Sequence, residues 1–162
     1  MRKLLMMCLA AMLLFITGCA GKQEAAANEP APPQNNAAAS GSGEQVSAVM
    51  QVNGQDVVIA LDNNPASARL AVMLPVDLKF SDFNNTEKIT YLPNKLNLDG
   101  AKRGHAPKAG DMCIYVPWGN ICIFYKDYKY SNDLVYLGHV ETGLAALAGA
   151  KGDFSVRLTK SK

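Results

Sequence analysis

Few residues in this chain could do chemistry, and most lie in its second half. Residues 110–128 read GDMCIYVPWGNICIFYKDY, and they hold Cys113, Cys122 and Trp118, the one tryptophan of the 162-residue chain. Two thiols offer a disulfide, a metal site or redox chemistry. No histidine stands at metal-ligand spacing from either cysteine, so zinc is not expected. The two histidines, His105 and His139, look isolated, and carboxylates do not cluster in the sequence. Nor is there a Cys-x-x-Cys, a glycine-rich phosphate loop at a strand–helix junction or a nucleophile elbow. Metal, hydrolytic and redox catalysis therefore have little to stand on, and no cofactor is expected. What remains is an aromatic set, Tyr91, Tyr115, Trp118, Phe124 and Tyr128, able to line a groove for a peptide or small ligand. Arg103 is a guanidinium donor within a long basic loop. For Tyr115 and Phe124, core packing competes with a groove role. A tryptophan in a turn more often stays half-exposed and anchors an interface.

The cysteine pair depends on strand register. If Val116 pairs with Ile121 across a four-residue loop, Cys113, Tyr115, Cys122 and Phe124 share one face. The cysteines are then diagonal neighbours. A register shifted by two sets them opposite, and only that arrangement brings their Cβ atoms near the ~3.8 Å of a disulfide. A bonded pair and two buried thiols are both open at this point.

The first 19 residues, MRKLLMMCLAAMLLFITGC, place a positive pair, Arg2 and Lys3, before an apolar run from Leu4 to Ile16. That run is shorter than the ~20 residues of a spanning helix, so residues 1–18 read as a cleaved export signal. Ile16-Thr17-Gly18-Cys19 resembles a bacterial lipobox. The resemblance implies cleavage before Cys19 and lipidation of its sulfur, hence an extracytoplasmic protein anchored to a membrane. Each buried CH₂ of an acyl chain adds ~0.8 kcal/mol, so several chains hold firmly. With Cys19, residues 20–45, AGKQEAAANEPAPPQNNAAASGSGEQ, have no aromatic or β-branched side chain. They cannot bury enough surface to order themselves and read as a tether reaching roughly 28 Å.

Residues 46–162 suffice for one domain with its own core. Their 13 Lys/Arg against 11 Asp/Glu leave a net charge of +2, with no basic stripe for nucleic acid. SAVMQVNGQDVVIALD, 47–62, alternates around Asn53-Gly54, a strong hairpin signal that turns Ala48, Met50, Val52, Val57, Ile59 and Leu61 inward. NNPASARLAVMLP, 63–75, is a short helix capped by Asn64, opened by Pro65 and closed before Pro75, with Leu70, Met73 and Leu74 inside. Strands follow at 76–80 and 88–92, separated by SDFNNTE. A long connection from Pro93 to Gly110 carries Lys102, Arg103, His105 and Lys108. After the central hairpin, 133–140 is a strand and 141–149 a second helix, with Thr142 as cap and Leu144, Leu147 and Ala148 inside. Residues 153–160 close as a strand. About eight short strands and two short helices predict a mainly β fold, a small closed or nearly closed barrel.

Specific segments carry a resemblance. The helix opening Asn63-Asn64-Pro65-Ala66-Ser67-Ala68 and the run Gly138-His139-Val140-Glu141-Thr142-Gly143 before the second helix resemble cyclophilins. The resemblance is closer to small bacterial cyclophilin-like domain proteins, through Lys88-Ile89-Thr90-Tyr91-Leu92-Pro93 and the Gly-Asp, Pro-Trp-Gly-Asn and Ile-Phe-Tyr-Lys-Asp pieces of 110–127. It spans about 48–160 and implies a cyclophilin-like barrel. True cyclophilins carry Phe-His-Arg and Gln-Gly-Gly-Asp segments that supply the isomerase arginine and glutamine. This chain has neither in its corresponding stretch, about 78–100, and Arg103 matches no motif position. Prolyl isomerisation must overcome ~18–20 kcal/mol of amide resonance. A donor aimed at the proline nitrogen stabilises the twisted amide selectively. Two functions follow: a membrane-tethered binding module with an aromatic groove and no isomerase catalysis, or an envelope prolyl isomerase using Arg103 as substitute donor.

Overall fold

A computed structural model describes residues 45–161; Cys19, the segment read as an export signal and nearly all of the segment read as a tether lie outside the described residues. Eight strands and two helices follow in chain order: β1 Ser47–Val52, β2 Gln55–Leu61, α1 Pro65–Met73, β3 Val76–Phe83, β4 Glu87–Tyr91, β5 Asp111–Tyr115, β6 Asn120–Phe124, β7 Leu134–Thr142, α2 Leu144–Gly149 and β8 Phe154–Lys160. The strands close into an antiparallel barrel in the order β1-β2-β7-β5-β6-β4-β3-β8. Closure gives each strand two partners and leaves no open edge. The mainly β, closed-barrel expectation holds. Because the segment carries a complete barrel and its own core, it folds as a unit.

Local chemistry sets the corners. Asn53 and Gly54 both take positive φ, 51° and 77°, as the two-residue hairpin turn requires. The Asn64 side chain accepts from the Ala66 and Ser67 amides at 3.0 Å and starts α1. Asn64 Nδ2 also donates to Tyr136 O, and Ser67 Oγ to Leu137 O, which fastens α1 to β7. The inner face of α1 is Ala66, Ser67, Leu70 and Ala71, whereas Met73 and Leu74 are only partly buried. Two other details depart from expectation. β3 runs on through Phe83, so the turn shrinks to residues 84–86. Thr142 is the last residue of β7, and Gly143, with φ 82°, starts α2 without a side-chain cap. A Cβ on Gly143 would meet the Asp56 carbonyl, so the close approach of β2 leaves room only for glycine.

The central hairpin adopts the register shifted by two. Tyr115 faces Asn120, and Cys113 faces Cys122 directly. Two commitments pull it there: the Val116 amide donates to Asp133 O on the β7 side, and the loop closes with Gly119 N donating to Tyr115 O. Gly119 takes φ 69°. Both cysteines are buried free thiols.

Alternation splits the sheet residues between two apolar clusters. Ile114, Ile121, Ile123 and Leu137 face the barrel interior with Phe80, Leu70 and Leu147. Cys113, Cys122, Phe124 and Leu134 form a second cluster on the outer face, flanked by Tyr115 and Tyr136. The interior also takes Lys88, only 1 % exposed. Its Nζ donates to Asp82 Oδ2 at 2.8 Å and Ala150 O at 2.7 Å, which satisfies the buried charge.

Candidate functional site

The outer cluster forms the floor of a cavity of about 350 Å³. Strand β4 contributes Glu87 and Ile89, and β6 contributes Asn120, Cys122 and Phe124, which alternation puts on the same side. Phe83, Tyr115 and Trp118 make one wall; Tyr128, Lys129, Tyr130 and Ser131 make the other. The size and mixed lining suit a small ligand or one side chain of a larger one.

Trp118 is held by its neighbours. Its indole stands edge-on to Tyr115, with centroids 5.4 Å apart, and to Phe83 at 5.6 Å. It remains 52 % exposed, so the turn presents it to solvent at the mouth. On the opposite wall Tyr128 stacks on Phe124, 5.9 Å between centroids. Of the aromatic residues read from the sequence, the structure gathers Tyr115, Trp118, Phe124 and Tyr128 around one cavity. Tyr91 shares a strand face with Glu87 and Ile89 but lies beyond the lining and is exposed. Phe83, Tyr130, Glu87 and Asn120 were missed. Asn120 read as a loop residue; the period of β6 was the available signal, because Asn120 precedes Cys122 and Phe124 by steps of two.

The polar floor is unusual. Asn120 is 1 % exposed, and its Nδ2 reaches Cys122 Sγ at 3.4 Å. Burial pushes the Glu87 carboxyl above its ordinary range, against a hydrogen bond from Cys122 that lowers it. Burial likewise drives both thiols far above the usual cysteine range, with the negative charge of Asp111 adding to it at Cys113 and that of Glu87 at both. Thiolates are therefore suppressed and nucleophilic chemistry by either cysteine is disfavoured.

The histidines are not isolated. Asp111, 6 % exposed, accepts from His105 Nε2 at 2.7 Å, His139 Nδ1 at 2.8 Å and the Lys108 amide at 2.8 Å. Burial raises the Asp111 pKa, but these bonds outweigh it and hold the carboxyl below its ordinary range. His105 also packs on Tyr136, 4.8 Å between centroids, and exchanges backbone bonds with Ser131. The Pro107 carbonyl receives the Tyr128 amide, and Leu134 O receives Gly104 N. The cluster thus ties the end of the 93–110 loop to the segment that forms one cavity wall. No sequence spacing announces it, since it needs β5 beside β7. Among the described residues no group of three or more His, Cys, Asp or Glu is arranged to hold a metal ion.

Arg103 is exposed and absent from the cavity lining. Its neighbour Gly104 takes φ 95°, and a Cβ there would collide with the Tyr130 hydroxyl. The chain therefore runs hard against Tyr130 at Gly104, and Arg103 places no donor in the cavity lining.

Comparison with known proteins agrees with this architecture. A hypothetical protein of Archaeoglobus fulgidus, known from a solution structure, superposes with a TM-score of 0.61 at 14 % identity; the match covers 75 % of this chain and 99 % of that one. That likeness concerns the fold alone. No curated protein matches the sequence. Residues 50–159, nearly the whole barrel, match the family described as the Cyclophilin-like family. An eight-stranded closed barrel with two helices, matched over this span, makes the chain a member of the cyclophilin-like family.

Proposed function

We propose that the protein is a binding module of the cyclophilin-like fold, held at a membrane by lipid on Cys19, which takes a peptide or small ligand in its outer-face cavity without catalysing prolyl isomerisation. One observation carries the reading: six aromatic residues and a buried polar floor converge on one cavity whose mouth is the half-exposed Trp118. Half-exposed aromatics, already braced by edge contacts, lose little freedom on binding and anchor interfaces. Against catalysis stands chemistry. The cavity has no arginine, and its basic residue, Lys129, is exposed on the rim. A fold shared with isomerases does not transfer their activity. The lipid anchor rests on the Ile16-Thr17-Gly18-Cys19 resemblance, and a tether of residues 20–45 would let the cavity search the space near the membrane.

The test is amide chemical-shift mapping on residues 45–162, titrated separately with benzyl alcohol, benzylammonium and a tetrapeptide containing an Ala-Pro bond. Saturable shifts confined to 83–91 and 115–134 are expected for at least one probe. Shifts elsewhere on the barrel, or none with any probe, would overturn the reading.

A further inference from the structure

Two acceptors in the cavity floor have no donor among the described residues: Glu87 Oε2 and Asn120 Oδ1. Native proteins rarely bury such atoms unpaired. Both residues line the cavity, and they sit on adjacent strands with Cys122 on the face between them. The floor's own amide donor is already engaged, Asn120 Nδ2 with Cys122 Sγ at 3.4 Å. Whatever satisfies these oxygens must bring its own N–H or O–H groups.

The walls restrict the donor further. Phe83, Tyr115, Trp118, Tyr128 and Tyr130 surround the floor with ring faces and edges, and ring faces attract a cation. Glu87 is the acidic residue of the lining. The positive charges nearby leave the floor free: Lys129 is exposed on the rim, and Lys88 turns into the barrel toward Asp82 and Ala150. A carboxylate and an amide oxygen beneath an aromatic wall match an organic cation better than an anion or a hydrocarbon.

We infer that the cavity receives an N–H-bearing organic cation, an alkylammonium or guanidinium group, which donates to Glu87 Oε2 and Asn120 Oδ1 while its charged head lies against the aromatic wall. The inference rests on the binding-module reading and names the ligand class of that site. The cation is a free amine or the side chain of a lysine or arginine in a peptide; both present the same chemistry. A quaternary ammonium lacks N–H groups and would leave the two oxygens unpaired, so it fits less well.

Trp118 makes the test direct, because its emission is the only indole signal of the chain. Residues 45–162 are titrated with benzylammonium, with its neutral isostere benzyl alcohol, with tetramethylammonium, and with capped Gly-Arg-Gly and Gly-Lys-Gly peptides. Benzylammonium is expected to bind at least about tenfold more tightly than benzyl alcohol. Glu87→Gln should bring that ratio close to one, and Asp77→Asn, which removes a surface carboxylate outside the cavity lining, should preserve it. The wild-type ratio decides by itself if Glu87→Gln does not fold. Capped peptides binding more tightly than benzylammonium identify a side chain as the source, and weaker binding identifies a free amine. Equal affinity for benzylammonium and benzyl alcohol overturns the inference but leaves a binding module. No response to any probe overturns both.

Discussion

Trp118 meets Tyr115 edge to face, with ring centroids 5.4 Å apart and planes at 86°. Tyr115 is the last residue of β5 and Trp118 sits in the loop that follows, so the hairpin itself builds the contact. The indole is pinned on two edges and open on the rest. This explains why the largest apolar side chain of the chain stands in a turn: the strand ends hold it ready at the cavity mouth, where burial in the core would hide it.

Replacing Trp118 should therefore cost binding more than folding. Trp118→Ala removes edge contacts and partial burial, about 1–2 kcal/mol of stability, against the ~3–5 kcal/mol of a fully buried tryptophan. Probe affinity should fall at least about tenfold, read by chemical-shift titration, while denaturant unfolding reports the stability. A stability loss of several kcal/mol with unchanged affinity would mean the indole is a core residue.

Asp111 should act on the cavity from a distance. Asp111→Asn keeps the shape but weakens three hydrogen bonds, and removing such a buried acceptor costs ~1–3 kcal/mol. The sign of the pH effect follows from the depressed carboxyl. Asp111 contributes stability above the unfolded carboxylate pKa of ~3.9, and that contribution is lost as pH falls through its lower folded value. Urea midpoints measured between pH 7 and 3 should fall more steeply for wild type than for Asp111→Asn. The variant should also bind probes less tightly, since the 125–133 wall loses its fastening.

Glu87 carries the opposite sign. Its folded pKa is raised by burial, so the stability linked to it is present at acid pH and lost as pH rises through the unfolded and then the folded value. Glu87→Gln should stabilise the apo domain at pH 7 by about 0.5–1 kcal/mol while abolishing the cation preference. Denaturant unfolding at pH 7 checks the first half. A destabilised variant would make Glu87 a structural residue.

How much of this was legible depended on sequence distance. The Asn53-Gly54 turn, the Asn64-Pro65 helix start and the alternation of β1 and β2 are each written within a few residues, and the structure reproduces them. The cysteine register was not, because it is decided by the Val116 amide bonding to Asp133 on a third strand. The same holds for the Asp111 cluster, whose members His105 and His139 meet only once β5 lies against β7. Glu87 and Asn120 fall in the SDFNNTE turn and the Pro-Trp-Gly-Asn loop when read from the sequence; the structure moves both into strands, and their standing as unpaired acceptors exists only after the sheet closes.

The facing cysteines give a direct check on that register. Residues 45–162 contain no other cysteine, and both thiols are buried with their pKa values raised. Thiol reagents should react slowly with the native domain and find two thiols per chain in denaturant. Finding none after denaturation would show that the pair is oxidised.

The central claim is a cavity that binds without catalysing. The measurement closest to it is the rate of cis–trans isomerisation of the Ala-Pro tetrapeptide in the presence of residues 45–162, with Arg103→Ala beside the wild type. Both proteins should leave the peptide at its uncatalysed relaxation time, tens to hundreds of seconds at 25 °C, while the folded cavity still responds to its probes. Acceleration by wild type that disappears in Arg103→Ala would contradict that claim and make the exposed loop arginine the donor of an isomerase.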